Sequence, residues 1–260
     1  EPWLHEGSAE AFSWLTLYEN GIIRKSELIN RTESSLNRCL AALRGRSVSQ
    51  IMSASEGPYL CGAFMNMAID AGLRDRGGLF GLWQSIFEDA KSGSGYYDEE
   101  MFFRHLDEIS GNRQLSDFLQ KLLHENKTDM WKDVSEKLDR IGAEISTGPG
   151  TGADILPLIQ TVTVALMEKD CEGRFSVSRA DPGFLIHGMP GCKNLPADEF
   201  VLTGFNGYDL LDEPSKSYGS LLNSCEEHET VVLDSREAGE SYTLGCPDHL
   251  SPYLQITSWP

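Results

Sequence analysis

An α+β multidomain architecture is what this sequence predicts: an all-α helical lobe followed by a small β-rich domain. Three observations carry that expectation. Apolar residues recur with a period near 3.6 over most of residues 1–145, and the period shortens to 2 after residue 155. Between the two, Ser146-Thr-Gly-Pro-Gly-Thr-Gly152 is small, glycine-rich and without periodicity. The expected boundaries are therefore 1–145 for the helical lobe and 153–260 for the β-rich domain. At 260 residues, 40% of them hydrophobic, the chain has material for two ordered cores.

The first helix is expected from Glu6 to about Asn20, where Asn20-Gly21 stops it. Trp3, Leu4, Ala11, Phe12, Trp14, Leu15 and Leu17 cover much of its cylinder, the pattern of a helix largely buried in a core. Glu6 and Glu10 lie four residues apart and so share a face, with His5 alongside. Glutamates rarely enter a core unless they pair or bind a metal. Ser26 is the expected cap of a second helix, whose inward stripe is Leu28, Ile29, Leu36, Cys39, Leu40 and Leu43.

Residues 47–57 read as a connector. Pro58 then opens a third helix from Tyr59 to about Arg76, which puts Tyr59 in its first turn. Gly77-Gly78 interrupts, and Leu79 to Ala90 resumes with Leu82, Trp83, Ile86 and Phe87. Asp98 is placed to cap the next helix, which Gly111 ends. Leu115–Leu123 and Asp129–Ile141 complete the helical set. His105 and His124 have no acidic or cysteine partner at ligand spacing and read as ordinary helix residues.

In the second half, Thr161–Leu166, Arg174–Val177, Gly183–Ile186, Phe200–Thr203, Thr230–Leu233 and Ser241–Leu244 read as short strands. Pro182-Gly183, Pro190-Gly191, Asn206-Gly207 and Ala238-Gly239 punctuate them. The glycine-rich 146–152 segment lacks the lysine of a phosphate-binding loop.

Charge excludes some functions. A net charge of −18 without clustered Lys/Arg argues against nucleic acid or an anionic membrane as partner. No apolar run reaches the roughly 18 residues of a membrane span. The six cysteines, Cys39, Cys61, Cys171, Cys192, Cys225 and Cys246, contain no Cys-x-x-Cys pair, so a zinc ribbon or thioredoxin-like chemistry is not expected. Their separations of 22, 21 and 21 residues suggest three local bridges, although six cysteines allow fifteen connectivities. Disulfides would place the chain in the periplasm or outside the cell.

Two motifs carry a resemblance. Trp3-Leu-His-Glu-Gly-Ser-Ala9 resembles the third-ligand segment of the gluzincin zinc aminopeptidases, in which the glutamate before glycine binds zinc; here that is Glu6. Tyr59-Leu-Cys-Gly-Ala63 is similar to the family's Tyr-x-Lys-Gly-Ala, whose tyrosine stabilises the tetrahedral intermediate, with Cys61 in place of the lysine. The helices up to residue 125 resemble the C-terminal lobe of the glycyl-aminopeptidase branch. Leu195–Leu210 resembles the PDZ core, with Ala197 replacing its glycine, and PDZ domains follow the catalytic lobe in that branch.

The resemblance implies the C-terminal portion of a zinc-dependent aminopeptidase acting on peptide substrates. Glu6 would be the metal ligand and Tyr59 the transition-state tyrosine, with His5 and Glu10 as possible supporting residues. The family's His-Glu-x-x-His helix is absent from these 260 residues: His5-Glu6-Gly-Ser-Ala9 places alanine where the second histidine belongs. The missing N-terminal part of the catalytic domain would supply it. This chain is accordingly expected to be inactive by itself and to retain no zinc. The alternative is a non-catalytic peptide-binding module with a PDZ-like groove on a helical scaffold.

Overall fold

The computed structural model describes residues 2–51, 57–93, 95–148, 155–172, 175–187, 191–196, 198–236 and 240–260. By its internal contacts the chain divides into two units, Glu1–Ser146 with Leu254–Pro260, and Thr147–Tyr253.

The first unit is helical: α1 (Pro2–Glu19), α2 (Lys25–Leu43), the one-turn α3 (Val48–Ile51), α4 (Gly57–Gly72), α5 (Gly78–Ser92), α6 (Glu99–Ser110), α7 (Gln114–His124) and α8 (Met130–Arg140). The expected third helix is shorter than its periodicity suggested, since Arg74–Arg76 tightens into a 3-10 turn. Asp70 accepts a hydrogen bond from the Leu79 amide at 2.9 Å, and so caps α5 from the end of α4. Asp98 caps α6 as expected, its Oδ1 accepting from the Met101 amide at 2.8 Å. Ser26 does not cap α2; Arg24 occupies that position in extended backbone, and Ser26 lies inside the helix.

Helix α4 is the centre of this unit. Cys61, Ala63, Phe64, Met65, Met67, Ala68 and Ile69 are all buried, so the helix is enclosed on nearly every side. It packs against α1, α2 and α5.

The end of the chain departs from expectation. The second domain was expected over 153–260, yet Leu254–Ser258 returns to the first unit as β8 and pairs with β1 (Glu144–Thr147). Asn37 of α2 holds β8 from both sides: its amide donates to the Leu254 carbonyl and its carbonyl accepts from the Leu254 amide, each at 2.8 Å. Glu33 accepts from the Ile256 amide at 2.7 Å. Leu254, Ile256 and Trp259 then join the helical core.

The second unit contains α9 (Ile155–Asp170), β2 (Ser176–Ala180), β3 (Gly183–His187), β4 (Glu199–Phe205), β5 (Tyr208–Asp209), α10 (Pro214–Glu227), β6 (Thr230–Ser235) and β7 (Ser241–Gly245). Its antiparallel sheet has the order β2-β3-β4-β6-β7, with β5 beside β4. Asn206-Gly207 makes the turn between β4 and β5 with φ of 51° and 82°, a left-handed pair that asparagine and glycine tolerate best. Arg174, Pro190, Ala197 and Ala238-Gly239 lie outside the described residues, as do positions 149–152 of the expected linker.

One predicted strand is a helix. Thr161–Leu166 belongs to α9, where Ile155, Leu158, Ile159, Val162, Ala165 and Leu166 are buried at helical spacing. The β-branched residues suggested a strand, but the threonines fit the helix because their hydroxyls bond back one turn: Thr161 to the Pro157 carbonyl at 3.0 Å and Thr163 to that of Ile159 at 2.8 Å.

All six cysteines are paired, as Cys39–Cys61, Cys171–Cys192 and Cys225–Cys246. Three disulfides fit an extracellular or periplasmic protein. Among the described residues no helix is long and apolar enough to cross a membrane.

Candidate functional site

The geometry of the site starts from two glycines. α1 and α4 cross where Gly7 meets Gly62, so closely that a Cβ on Gly7 would lie 2.2 Å from the Gly62 carbonyl carbon. Only residues without a side chain allow that approach. Ser8 donates to Asn66 Oδ1 at 3.0 Å, and Asn66 donates to the Gly62 carbonyl at 2.8 Å, which fixes the crossing through buried polar groups. On the other side of α4, the Cys39–Cys61 disulfide and the Ser35 hydroxyl, donating to the Leu60 carbonyl, tie the helix to α2.

This crossing brings the two motif residues together. The Tyr59 pKa is raised, first by hydrogen bonding toward the Glu6 carboxylate, then by the Glu6 charge, by burial and by the Glu10 charge. A phenolate beside these carboxylates is disfavoured, so Tyr59 holds its proton and remains a donor. Tyr59 is 46% exposed although its helix is buried, and it stands at the surface where a substrate can reach it. Glu6 is half-buried.

The other two candidates are engaged elsewhere. Glu10 accepts a hydrogen bond from Trp14 Nε1 at 3.0 Å. His5 is exposed and shares a 3.1 Å hydrogen bond through Nδ1 with the Tyr97 hydroxyl, their rings 5.6 Å apart.

Sequence reasoning missed three neighbours. Glu99 accepts from Trp3 Nε1 at 3.3 Å, and its other oxygen lies 3.3 Å from His124 Nε2. His124 Nδ1 is 3.4 Å from the Ser49 hydroxyl. Tyr97, Glu99 and His124 thus surround the start of α1, and no local spacing announces them. His105 also has partners, Ser85 at 2.9 Å and Asp89 at 3.0 Å, which join α5 to α6.

The fit to zinc is incomplete within this chain. Among the described residues one group of three His, Cys, Asp or Glu side chains converges, Asp170 with Cys171 and Cys192, and both of its sulfurs are in a disulfide. Neither His5 nor any other histidine joins Glu6 in such a group. A zinc ion needs three or four ligands, and among the described residues no converging set of that size includes Glu6.

Against that geometry, the likeness to solved structures is informative. The fold is similar to part of an aminopeptidase N family protein. The crystal structure of that protein, from Idiomarina loihiensis, matches 98% of this chain and 47% of its own chain, with a TM-score of 0.53 and 14% sequence identity. This chain therefore spans about half the length of its structural neighbour. No family model matches the chain, and no curated protein matches it.

Proposed function

We propose that this chain is the C-terminal portion of a zinc-dependent aminopeptidase-like enzyme of the gluzincin type. The observation that carries the reading is the Gly7–Gly62 crossing, which brings Tyr59 close enough to Glu6 for the carboxylate to raise its pKa. Two motif residues separated by 53 positions meet there. Glu6 would be one of three protein ligands to zinc, the other two coming from a His-Glu-x-x-His helix outside this sequence. Bound zinc supplies Lewis-acid polarisation of the scissile carbonyl. Tyr59 would donate its hydroxyl proton in a hydrogen bond to the developing oxyanion, and Glu6 keeps that hydroxyl protonated and oriented.

Two experiments test it. The purified chain, dialysed exhaustively, should hold almost no zinc by elemental mass spectrometry; one zinc per chain would overturn the shared-site reading. In a protein that joins this chain to a His-Glu-x-x-His lobe, Tyr59→Phe should lower kcat by about two to three decades with KM little changed. An unaltered kcat removes Tyr59 from the reaction.

A non-catalytic peptide receptor is the second reading, resting on the PDZ resemblance of 195–210. A PDZ groove takes an extended peptide along an open sheet edge beside a helix. Edge strand β2 instead gives its Val177 carbonyl to the Gln160 amide of α9 at 3.0 Å, and α9 packs on α10 as well. Peptide addition there would compete with the Gln160 hydrogen bond.

A further inference from the structure

Helix α5 sets Ser85 and Asp89 one turn apart on the face it turns to α6, and His105 of α6 reaches both. Its Nδ1 is 2.9 Å from the Ser85 hydroxyl, and its Nε2 is 3.0 Å from Asp89 Oδ2. An ionised carboxylate can only accept, so the hydrogen of the neutral imidazole sits on Nε2 and the Nδ1 lone pair faces the Ser85 O–H. Nucleophile, base and orienting carboxylate thus follow one another, each within hydrogen-bond reach of the next. The same Asp89 oxygen accepts from Arg104 Nη2 at 2.7 Å, and Arg104, then His105, hold the Asp89 carboxyl below its ordinary range. Glu108 Oε2 stands farther from Nδ1, at 3.9 Å, which leaves Ser85 as its near partner. His105 is 7% exposed, whereas Ser85 and Asp89 are half-buried. A shielded base beside a partly exposed hydroxyl is an arrangement that acyl transfer can use.

We propose that Ser85, His105 and Asp89 form a hydrolytic site for small acyl esters, with Ser85 as nucleophile, His105 as general base and Asp89 as the positioning residue that holds the imidazole. Ser85 Oγ bonds to the ester carbonyl carbon while its proton passes to His105 Nδ1 and the carbonyl electron pair moves onto oxygen. That pair then returns, the bond to the alcohol oxygen breaks, and the alcohol leaves with the proton from Nδ1. Water attacks the acyl-Ser85 ester by the same exchange, releasing the acid and restoring the hydroxyl. Only water is consumed, and nothing is oxidised or reduced. The Asp89 charge favours the imidazolium formed in each half of the reaction. Arg104, half-exposed on the same carboxylate, is a cation beside this relay for the transient oxyanion. Partial burial of Ser85 favours an acetyl-sized acid over a long or branched one. None of these steps uses zinc, so the site is independent of the aminopeptidase reading.

The test is acyl trapping on the full 260-residue chain, with a chelator present throughout. The protein is mixed with p-nitrophenyl acetate, release of p-nitrophenol is followed, and the acetyl group is mapped by mass spectrometry. Ser85 should acetylate ahead of every other serine and threonine, and p-nitrophenyl octanoate should acylate it more slowly. His105→Gln should slow Ser85 acetylation at least about a hundredfold. Asp89→Asn should slow it as well and move the acid limb of its rate–pH profile to lower pH, because an imidazolium without its carboxylate loses its proton more readily. A merely structural Asp89 would leave that limb in place. The wild-type comparison of Ser85 with the other serines decides the matter even where a variant unfolds. Acetylation of Ser85 no faster than that of an ordinary surface serine overturns the nucleophile, an equal rate in folded His105→Gln overturns the base, and octanoate as fast as acetate overturns the preference for a small acid.

Discussion

Gly7 and Gly62 touch backbone to backbone, and a side chain at either would collide with main-chain atoms: 2.2 Å from Gly62 C for Gly7, and 2.7 Å from the Trp3 carbonyl oxygen for Gly62. The glycines of the Glu6-Gly7 and Cys61-Gly62-Ala63 motifs are therefore packing residues. They set the distance between the carboxylate and the phenol that precede them in each motif. Gly7→Ala should destabilise the chain by at least about 2 kcal/mol in chemical denaturation, because backbone cannot move aside as a flexible side chain would. Gly219→Ala is the control. Nothing stands within 4 Å of a Cβ at that position in α10, and the substitution should be neutral or stabilise by about 0.5–1 kcal/mol.

Ionisation of Tyr59 reports the same geometry. Its pKa is raised first by hydrogen bonding toward the Glu6 carboxylate and then by the Glu6 charge, which repels the phenolate. Glu6→Gln removes the charge, so Tyr59 should ionise at lower pH than in the wild type. Alkaline absorbance titration, with Tyr59→Phe to identify the signal among eight tyrosines, measures the shift. An unchanged titration would show that Glu6 and Tyr59 are apart in solution.

The returning C-terminal strand makes a separate demand on α2. Asn37→Leu would leave the buried Leu254 amide and carbonyl without partners, and should cost about 2–4 kcal/mol. Hydrogen exchange should locate the loss, with the β8 amides opening ahead of those in α4. Uniform exchange across the unit would mean that β8 unfolds only with the whole lobe.

Acid sensitivity should appear between α5 and α6. The Arg104 hydrogen bond, followed by that of His105, holds the Asp89 carboxyl below its ordinary range. A depressed carboxylate pKa contributes stability that is fully present above the unfolded value, about 3.9, and is lost as pH falls through the folded one. Asp89→Asn should therefore lower the melting temperature at neutral pH and flatten its decline below about pH 4. A variant whose acid limb matches the wild type would remove Asp89 from that linkage.

Disulfide Cys39–Cys61 fixes α4 against α2 across a 22-residue separation. The Cys39→Ser/Cys61→Ser double variant should lose about 2–4 kcal/mol, the ordinary range for a loop of this length. Denatured, unreduced wild-type protein should show no thiol reactive to Ellman's reagent, since all six cysteines are paired.

Periodicity, caps and cysteine spacing were written locally, and they determined much of this protein. The long helices of residues 2–140, the Asp98 cap, the Asn206-Gly207 turn and most strands of the sheet follow from signals only a few residues long, whereas α3 (Val48–Ile51) lies in what reads as a connector. Glu6 and Tyr59 were legible as candidates because each sits in a short motif. What the tertiary structure decided lies across longer distances. Thr161–Leu166 became a helix once the flanking Ile155, Leu158 and Ile159 gave it a buried face, overriding β-branched propensity. β8 reached α2 across 217 positions, a pairing that carries no periodic trace. Tyr97, Glu99 and His124 came to the start of α1 only because α6 and α7 fold there. Hydrophobic pattern specifies which face of an element is buried, while the partner of that face is chosen by the packing of the whole unit.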